Sequence, residues 1–156
     1  TISEYPRVEC LVFKISCIKF ESIKMKVLFF LNYSQEDEGA EYEYFPAVNF
    51  SENGVQSTEV YYRVAAYFIQ SLNTVDLATR MLNIFEFYNQ ENMLLGFKGE
   101  TLNNVRFLVE GDSIMFKLIK SESFLDKIKI DLLVSVIEEW IKYLSVGDFT
   151  DFSFTV

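Results

Sequence analysis

Seven carboxylates, Glu36, Asp37, Glu38, Glu41, Glu43, Glu52 and Glu59, fall between Lys26 and Arg63 with no basic residue among them. Carboxylates gathered in this way support three kinds of chemistry. A pair flanking a bound sugar runs glycoside hydrolysis, one as acid and the other as base or nucleophile. A loop with alternating ligand positions holds calcium. A field of one sign draws in a cationic partner. The first needs a cleft and a set separation, neither of which a sequence displays, and among 23 acidic residues chance pairs are inevitable. The second fails on spacing, because Glu36-Asp37-Glu38 lacks the D-x-(D/N)-x-(D/N)-G alternation that arranges ligands around an ion. The third survives.

Other reaction chemistries lose their usual residues. The chain has no histidine, which removes Ser–His and Cys–His nucleophile activation, histidine bases and histidine metal ligands. No GxxxxGK(S/T), GxGxxG or GxSxG pattern occurs, so phosphate-cradling loops and the nucleophile elbow have no basis. Cys10 and Cys17 would point to opposite faces of an extended strand, and a bond between them needs a bend. They read as buried, reduced thiols of a cytosolic chain. The expectation is a protein that is not an enzyme and that holds no cofactor and no metal.

The acidic window also contains Tyr42, Tyr44, Phe45 and Phe50. Carboxylates steer the encounter with a cationic surface, and aromatic rings supply the anchors that become buried. The expected partner-binding set is therefore Glu36, Asp37, Glu38, Glu41, Tyr42, Glu43, Tyr44 and Glu52. A competing reading stands beside it: charges along an exposed strand are a common guard against edge-to-edge pairing. The net charge of −9 opposes binding to phosphate backbones and to anionic membranes. Lys117, Lys120, Lys127 and Lys129 form the one basic cluster, which is small and balanced by nearby acids. No uncharged apolar run is long enough for a transmembrane helix.

The elements that must position these residues follow from periodicity. Residues 7–20 read as a strand. Lys26 to Tyr33 is apolar on both faces, which predicts a central strand covered by helices. An acidic loop over 34–40 turns at Gly39, and Glu41 to Phe50 alternates as a strand with Pro46 marking an edge or bulge. Asn53-Gly54 ends that strand. Ser57 or Thr58 caps a helix with Tyr61, Val64, Ala65, Phe68 and Leu72 on one stripe. Asn73-Thr74 breaks or re-caps it before a second helix through Ala78, Met81, Leu82, Phe85 and Tyr88.

A short strand is expected at Met93 to Phe97, followed by a hairpin with Glu110-Gly111-Asp112-Ser113 at its turn. Ser123 with Asp126 resembles a capping box for a last helix carrying Leu125, Ile128, Leu132, Val136, Ile137, Trp140 and Leu144 and stopping near Gly147. Phe149, Phe152 and Phe154 alternate in a tail suited to one more strand. The fold class is α+β, a mainly antiparallel sheet packed against three helices. One domain spans 1–156, with 1–24 either a variable N-terminal strand or an addition ahead of a natural start at Met25. At 17% aromatic and 50% apolar residues the chain has ample core material.

In size, acidity, element order and the amphipathic helix with Ile137-Glu138-Glu139-Trp140-Ile141-Lys142-Tyr143-Leu144, the chain resembles immunity proteins of bacterial polymorphic and contact-dependent toxin systems. That resemblance implies a cytoplasmic protein that binds one cognate toxin domain, often a nuclease with a basic cleft, and neutralises it. It assigns no residue roles, and the acidic set rests on charge alone. Type III secretion chaperones are similar in being small, acidic and α+β, and they act as dimers on an unfolded effector. They usually open with a helix, whereas this chain opens with strands. The alternative is thus an acidic secretion chaperone or adaptor-type binding protein, and the oligomeric state stays open.

Overall fold

The computed structural model is described here for residues 25–35, 37–52, 55–56, 59–90, 97–100, 105–118 and 120–156. The expected strand over 7–20 with Cys10 and Cys17, the Asn53-Gly54 turn, the Ser57 or Thr58 cap and residues 93–96 lie outside them, as does Glu36. β1 (Met25–Ser34) returns as β2 (Glu43–Glu52) in a hairpin paired from Met25↔Glu52 to Ser34↔Glu43. The acidic segment is the tip of that hairpin. There the Ala40 amide donates to the Asp37 carbonyl at 3.0 Å and Gln35 Nε2 donates to the Ala40 carbonyl at 2.6 Å. Gly39 takes φ +92°, a region that strains any residue with a Cβ.

The chain continues through β3 (Val55–Gln56), α1 (Val60–Ser71), α2 (Val75–Gln90), β4 (Phe97–Glu100), β5 (Val105–Glu110), β6 (Ser113–Leu118), β7 (Ile128–Lys129), α3 (Ile130–Val146) and β8 (Phe152–Thr155). The α+β class is as expected, but the strands form two sheets rather than one. Both have four strands and antiparallel pairing, in the orders β3-β2-β1-β8 and β4-β5-β6-β7.

α1 explains the split. Val64, Ala65, Ala66, Phe68, Ile69 and Ser71 are all buried. A helix apolar over most of its circumference needs cover on two sides, and α1 touches β2 of one sheet and β5 and β6 of the other. Phe68 lies at the centre, with ring centroids 5.4 Å from Phe107, 5.0 Å from Phe116 and 5.9 Å from Phe85. Between the first two helices Thr74 Oγ1 accepts the Leu77 amide at 3.1 Å, the re-cap that Asn73-Thr74 predicts.

The capping box at Ser123 and Asp126 does not open a helix. The Leu125 amide donates to Phe116 O at 2.8 Å, Ile128 and Lys129 pair with β6, and the Ile130 amide donates to Asp112 O at 2.9 Å. The Lys129 ammonium also bonds the Asp112 carboxylate. Together these sheet contacts outweigh a local cap of about 1 kcal/mol, so α3 starts only at Ile130, with no side-chain cap. Its buried stripe is Ile130, Leu133, Val136, Ile137, Trp140 and Tyr143, while Leu132 and Leu144 are half-buried. β8 returns alongside β1, pairing Phe154 with Val27 and Phe152 with Phe29, as the alternating phenylalanines predict.

Candidate functional site

β1 and β2 carry core side chains along only part of their length. On the helix-facing side the pairs Val27↔Phe50 and Phe29↔Val48 are buried. Tyr62 of α1 lies 5.5 Å from Phe50, and Trp140 and Tyr143 of α3 lie 5.1 and 5.3 Å from Phe29. The next pairs on that face, Leu31↔Pro46 and Tyr33↔Tyr44, run past the helices. Tyr33 is 61% exposed, Tyr42 52% and Tyr44 64%, and Leu31 is exposed beside them. The rings brace one another: Tyr33 meets Tyr42 edge-on at 5.3 Å and Tyr44 at 6.4 Å. Asp37, Glu38, Glu41 and Glu43 lie in the same hairpin end, all of them exposed, with Glu43 on the opposite face of β2 from Tyr44.

Six of the eight residues expected to bind a partner are therefore brought to one end of the hairpin: Asp37, Glu38, Glu41, Tyr42, Glu43 and Tyr44. Glu52 is not among them. It sits at the opposite end of β2, about 30 Å from Glu43 at the rise of a strand. There it lies near Tyr61 and Tyr62, whose rings are 4.5 Å apart. Burial first, then Glu59 and Glu52 among the nearby charges, push the Tyr61 phenol above its ordinary range. Burial first also raises Tyr62, with Tyr61, Glu52 and Glu59 adding to it.

Tyr33 and Leu31 are the residues that sequence reading missed. The apolar run of Lys26 to Tyr33 implies cover on both faces, whereas the helices cover only its first half on the core side. The available signal was the position of Tyr33 immediately before the acidic segment, opposite Tyr44 in a hairpin.

The structure also bears on edge protection. Among the described residues β2 pairs on its outer edge with β3 alone, at Ser51 and Glu52. The outward Val48 amide donates to Gln70 Oε1 of α1 at 2.9 Å. Ladder alternation sets Pro46, two residues away, at the same outward position, and proline has no N–H to offer. A capped amide at Val48 and a missing donor at Pro46 blunt this edge at those two positions.

Chemically, the hairpin end offers aromatic faces, phenol hydroxyls and carboxylates that form no ion pair among the described residues, a surface suited to guanidinium and ammonium groups. Among the described residues no three of His, Cys, Asp and Glu stand close enough to hold a metal ion. No helix among them is long and apolar enough to cross a membrane. Comparison with protein-family models, with curated proteins and with solved structures finds no match for the chain.

Proposed function

We propose that this chain is an immunity-type inhibitor that binds a cognate toxin domain with a basic surface, a nuclease in the first instance, and blocks it without catalysing a reaction. One observation carries the reading. Tyr42 and Tyr44, both in ring contact with Tyr33, stand exposed with it where the hairpin overruns the helices, in a hairpin end that also carries four exposed carboxylates. Soluble proteins rarely leave a large apolar group uncovered without a partner for it. A cleft that cuts nucleic acid is basic because it must hold phosphates, and an acidic, ring-bearing projection complements it in charge and shape. Such a protein works in the cytoplasm, where a nuclease would find its target, and needs no cofactor.

The test is co-expression with a toxin-like C-terminal domain encoded by a neighbouring gene. The parent chain restores growth, and the Glu41→Lys, Glu43→Lys, Tyr44→Ala triple variant does not, while its circular dichroism and melting temperature stay at parental values. Rescue by the triple variant would remove the hairpin end from the binding surface. A stable dimer that captures unfolded clients through this face would favour the chaperone reading instead.

A further inference from the structure

Exposed apolar and aromatic side chains gather at one end of the molecule. Among the described residues twelve large ones are exposed, and six of them, Leu31, Tyr33, Tyr42, Tyr44, Val146 and Phe152, are neighbours there. Register and ring contacts establish this. Phe152 lies directly across from Phe29 on the helix-facing side of the sheet, with ring centroids 6.1 Å apart. Leu31 is the next residue of β1 on that side, followed by Tyr33 opposite Tyr44. Phe152 and Val146 line one hollow at the end of α3. Apolar side chains scattered singly over a surface are ordinary, whereas a contiguous strip marks a contact.

The strip has a floor, a wall and a hollow. Its floor is the part of the hairpin that overruns the helices, about 13 Å along β1 from Phe29 to Tyr33. Its wall is α3, which stands on that face through Trp140 and Tyr143 and ends in Val146, 70% exposed. Between Tyr143, Val146 and Phe152 opens a mostly apolar hollow of about 280 Å³. That is below the usual size of a small-molecule site and suits one side chain.

Backbone and charge decide what can cover it. A partner strand needs free outward amides at a sheet edge. On β1 the outward residues past Phe29 are Leu31 and Tyr33, by alternation from Met25, whose carbonyl accepts the Val156 amide at 2.9 Å. The Tyr33 amide already donates to Asn32 Oδ1 at 2.9 Å. On β2 the Val48 amide is held by Gln70, and Pro46 has none. An α-helix satisfies its own backbone and presents only side chains, so it suits a face whose edges are blunted. Exposed carboxylates flank the strip at both ends, Asp37, Glu38 and Glu41 at the hairpin tip and Asp148 and Asp151 beyond α3. None of them forms an ion pair among the described residues. A second copy of this chain would bring those carboxylates against their own kind, and an anionic membrane would meet the same repulsion. A helix with cations beside its apolar face meets neither obstacle.

We propose that this strip seats an amphipathic, basic α-helix of the protein partner. One apolar side chain of that helix fills the hollow beside Val146, and the next lie over Leu31 and against Tyr33 and Tyr44. Arginine or lysine flanking the apolar face reaches the carboxylates at both ends, and arginine also stacks on the tyrosines. The choice of occupant rests on the reading of this chain as a binder of a basic protein, and it names the element by which that protein is held.

The whole chain can be titrated with a synthetic helical peptide of about five turns, leucine recurring at three and four residues and arginine elsewhere, followed by amide and methyl chemical shifts. The controls are a scrambled peptide of the same composition, which scatters the leucines around the helix, and a version with glutamate for arginine. The first peptide is expected to shift Leu31, Tyr33, Tyr44, Val146 and Phe152 saturably. The scrambled peptide should bind about tenfold more weakly, and the glutamate version not at all. Leu31→Ser with Val146→Ser, at two exposed positions, should weaken the first peptide about tenfold at an unchanged melting temperature. Val60→Ser, at an exposed apolar residue outside the strip, should leave binding unchanged. Equal binding of the ordered and scrambled peptides would leave charge alone at work and overturn the proposal, as would shifts centred elsewhere. Dimerisation of the free chain that Leu31→Ser with Val146→Ser abolishes would give the strip to a second copy and also overturn it. Growth rescue separates this proposal from the toxin reading. If the Leu31 and Val146 variant rescues growth and binds the peptide as well as the parent does, the helix seat falls and the toxin reading stands. Peptide binding as expected, with no toxin domain neutralised by the parent chain, removes the toxin reading and leaves the seat.

Discussion

Trp140 shows how much can rest on one side chain. Its ring is fully buried, edge-on to Phe29 at 5.1 Å and stacked on Tyr143 at 5.7 Å. Its Nε1–H donates to the Leu72 carbonyl at 2.8 Å, which ties the middle of α3 to the end of α1. Trp140→Ala is expected to destabilise by about 3–5 kcal/mol through loss of packing and the cavity left behind. Trp140→Phe keeps most of the packing but strands the Leu72 carbonyl, at a cost of about 1–3 kcal/mol. Urea unfolding measures both, and a Trp140→Phe variant as stable as the parent would mean that the hydrogen bond contributes nothing. The burial of Trp140 was legible in sequence from its place on an apolar stripe. Its bond to Leu72, 68 residues away, was not, because periodicity reports which face is buried and not what lies against it.

Elements were legible where local pattern and tertiary demand agree. The β1–β2 hairpin, the break at Thr74, the Gly111-Asp112 turn with Gly111 at φ +58° and the glycine stop of α3 all follow from residues within a few positions of each other. The start of α3 shows the opposite case, since β6 takes Ile128 and Lys129 for a strand pair that no local signal announces. The second sheet was equally hidden, because an amphipathic reading of α1 omits Ala66 and Ile69, which face its far side. β2 provides a prediction at this scale. Pro46→Val together with Gln70→Ala restores one outward donor and uncovers another at Val48. Light scattering should show stronger concentration-dependent self-association than in the parent, while Glu41→Lys with Glu43→Lys should not. If the charge reversals alone drive self-association, the carboxylates are edge guards and the binding reading loses its main support.

At the scale of the whole molecule the question is what a net charge of −9, with an uncompensated run of carboxylates at a hairpin tip, does to an encounter. Exposed charges at the rim of an interface act on the rate of association, whereas buried anchors act on the rate of dissociation. The two halves of the hairpin surface should therefore separate in kinetics. Reversing Glu41 and Glu43 to lysine takes the net charge from −9 to −5. Binding to the toxin domain should then slow on association by about tenfold at low salt, with dissociation little changed. Tyr44→Ala should leave association intact and speed dissociation by about thirtyfold, the effect of a 2 kcal/mol hot spot. Raising the salt should erase the first difference and preserve the second, because screening reaches exposed carboxylates far more than a covered ring. Surface plasmon resonance across a salt series reads all three. Charge and rings that both act on dissociation would instead mean that the carboxylates are buried in the contact, and the hairpin tip would then lie at the centre of the interface and not at its rim.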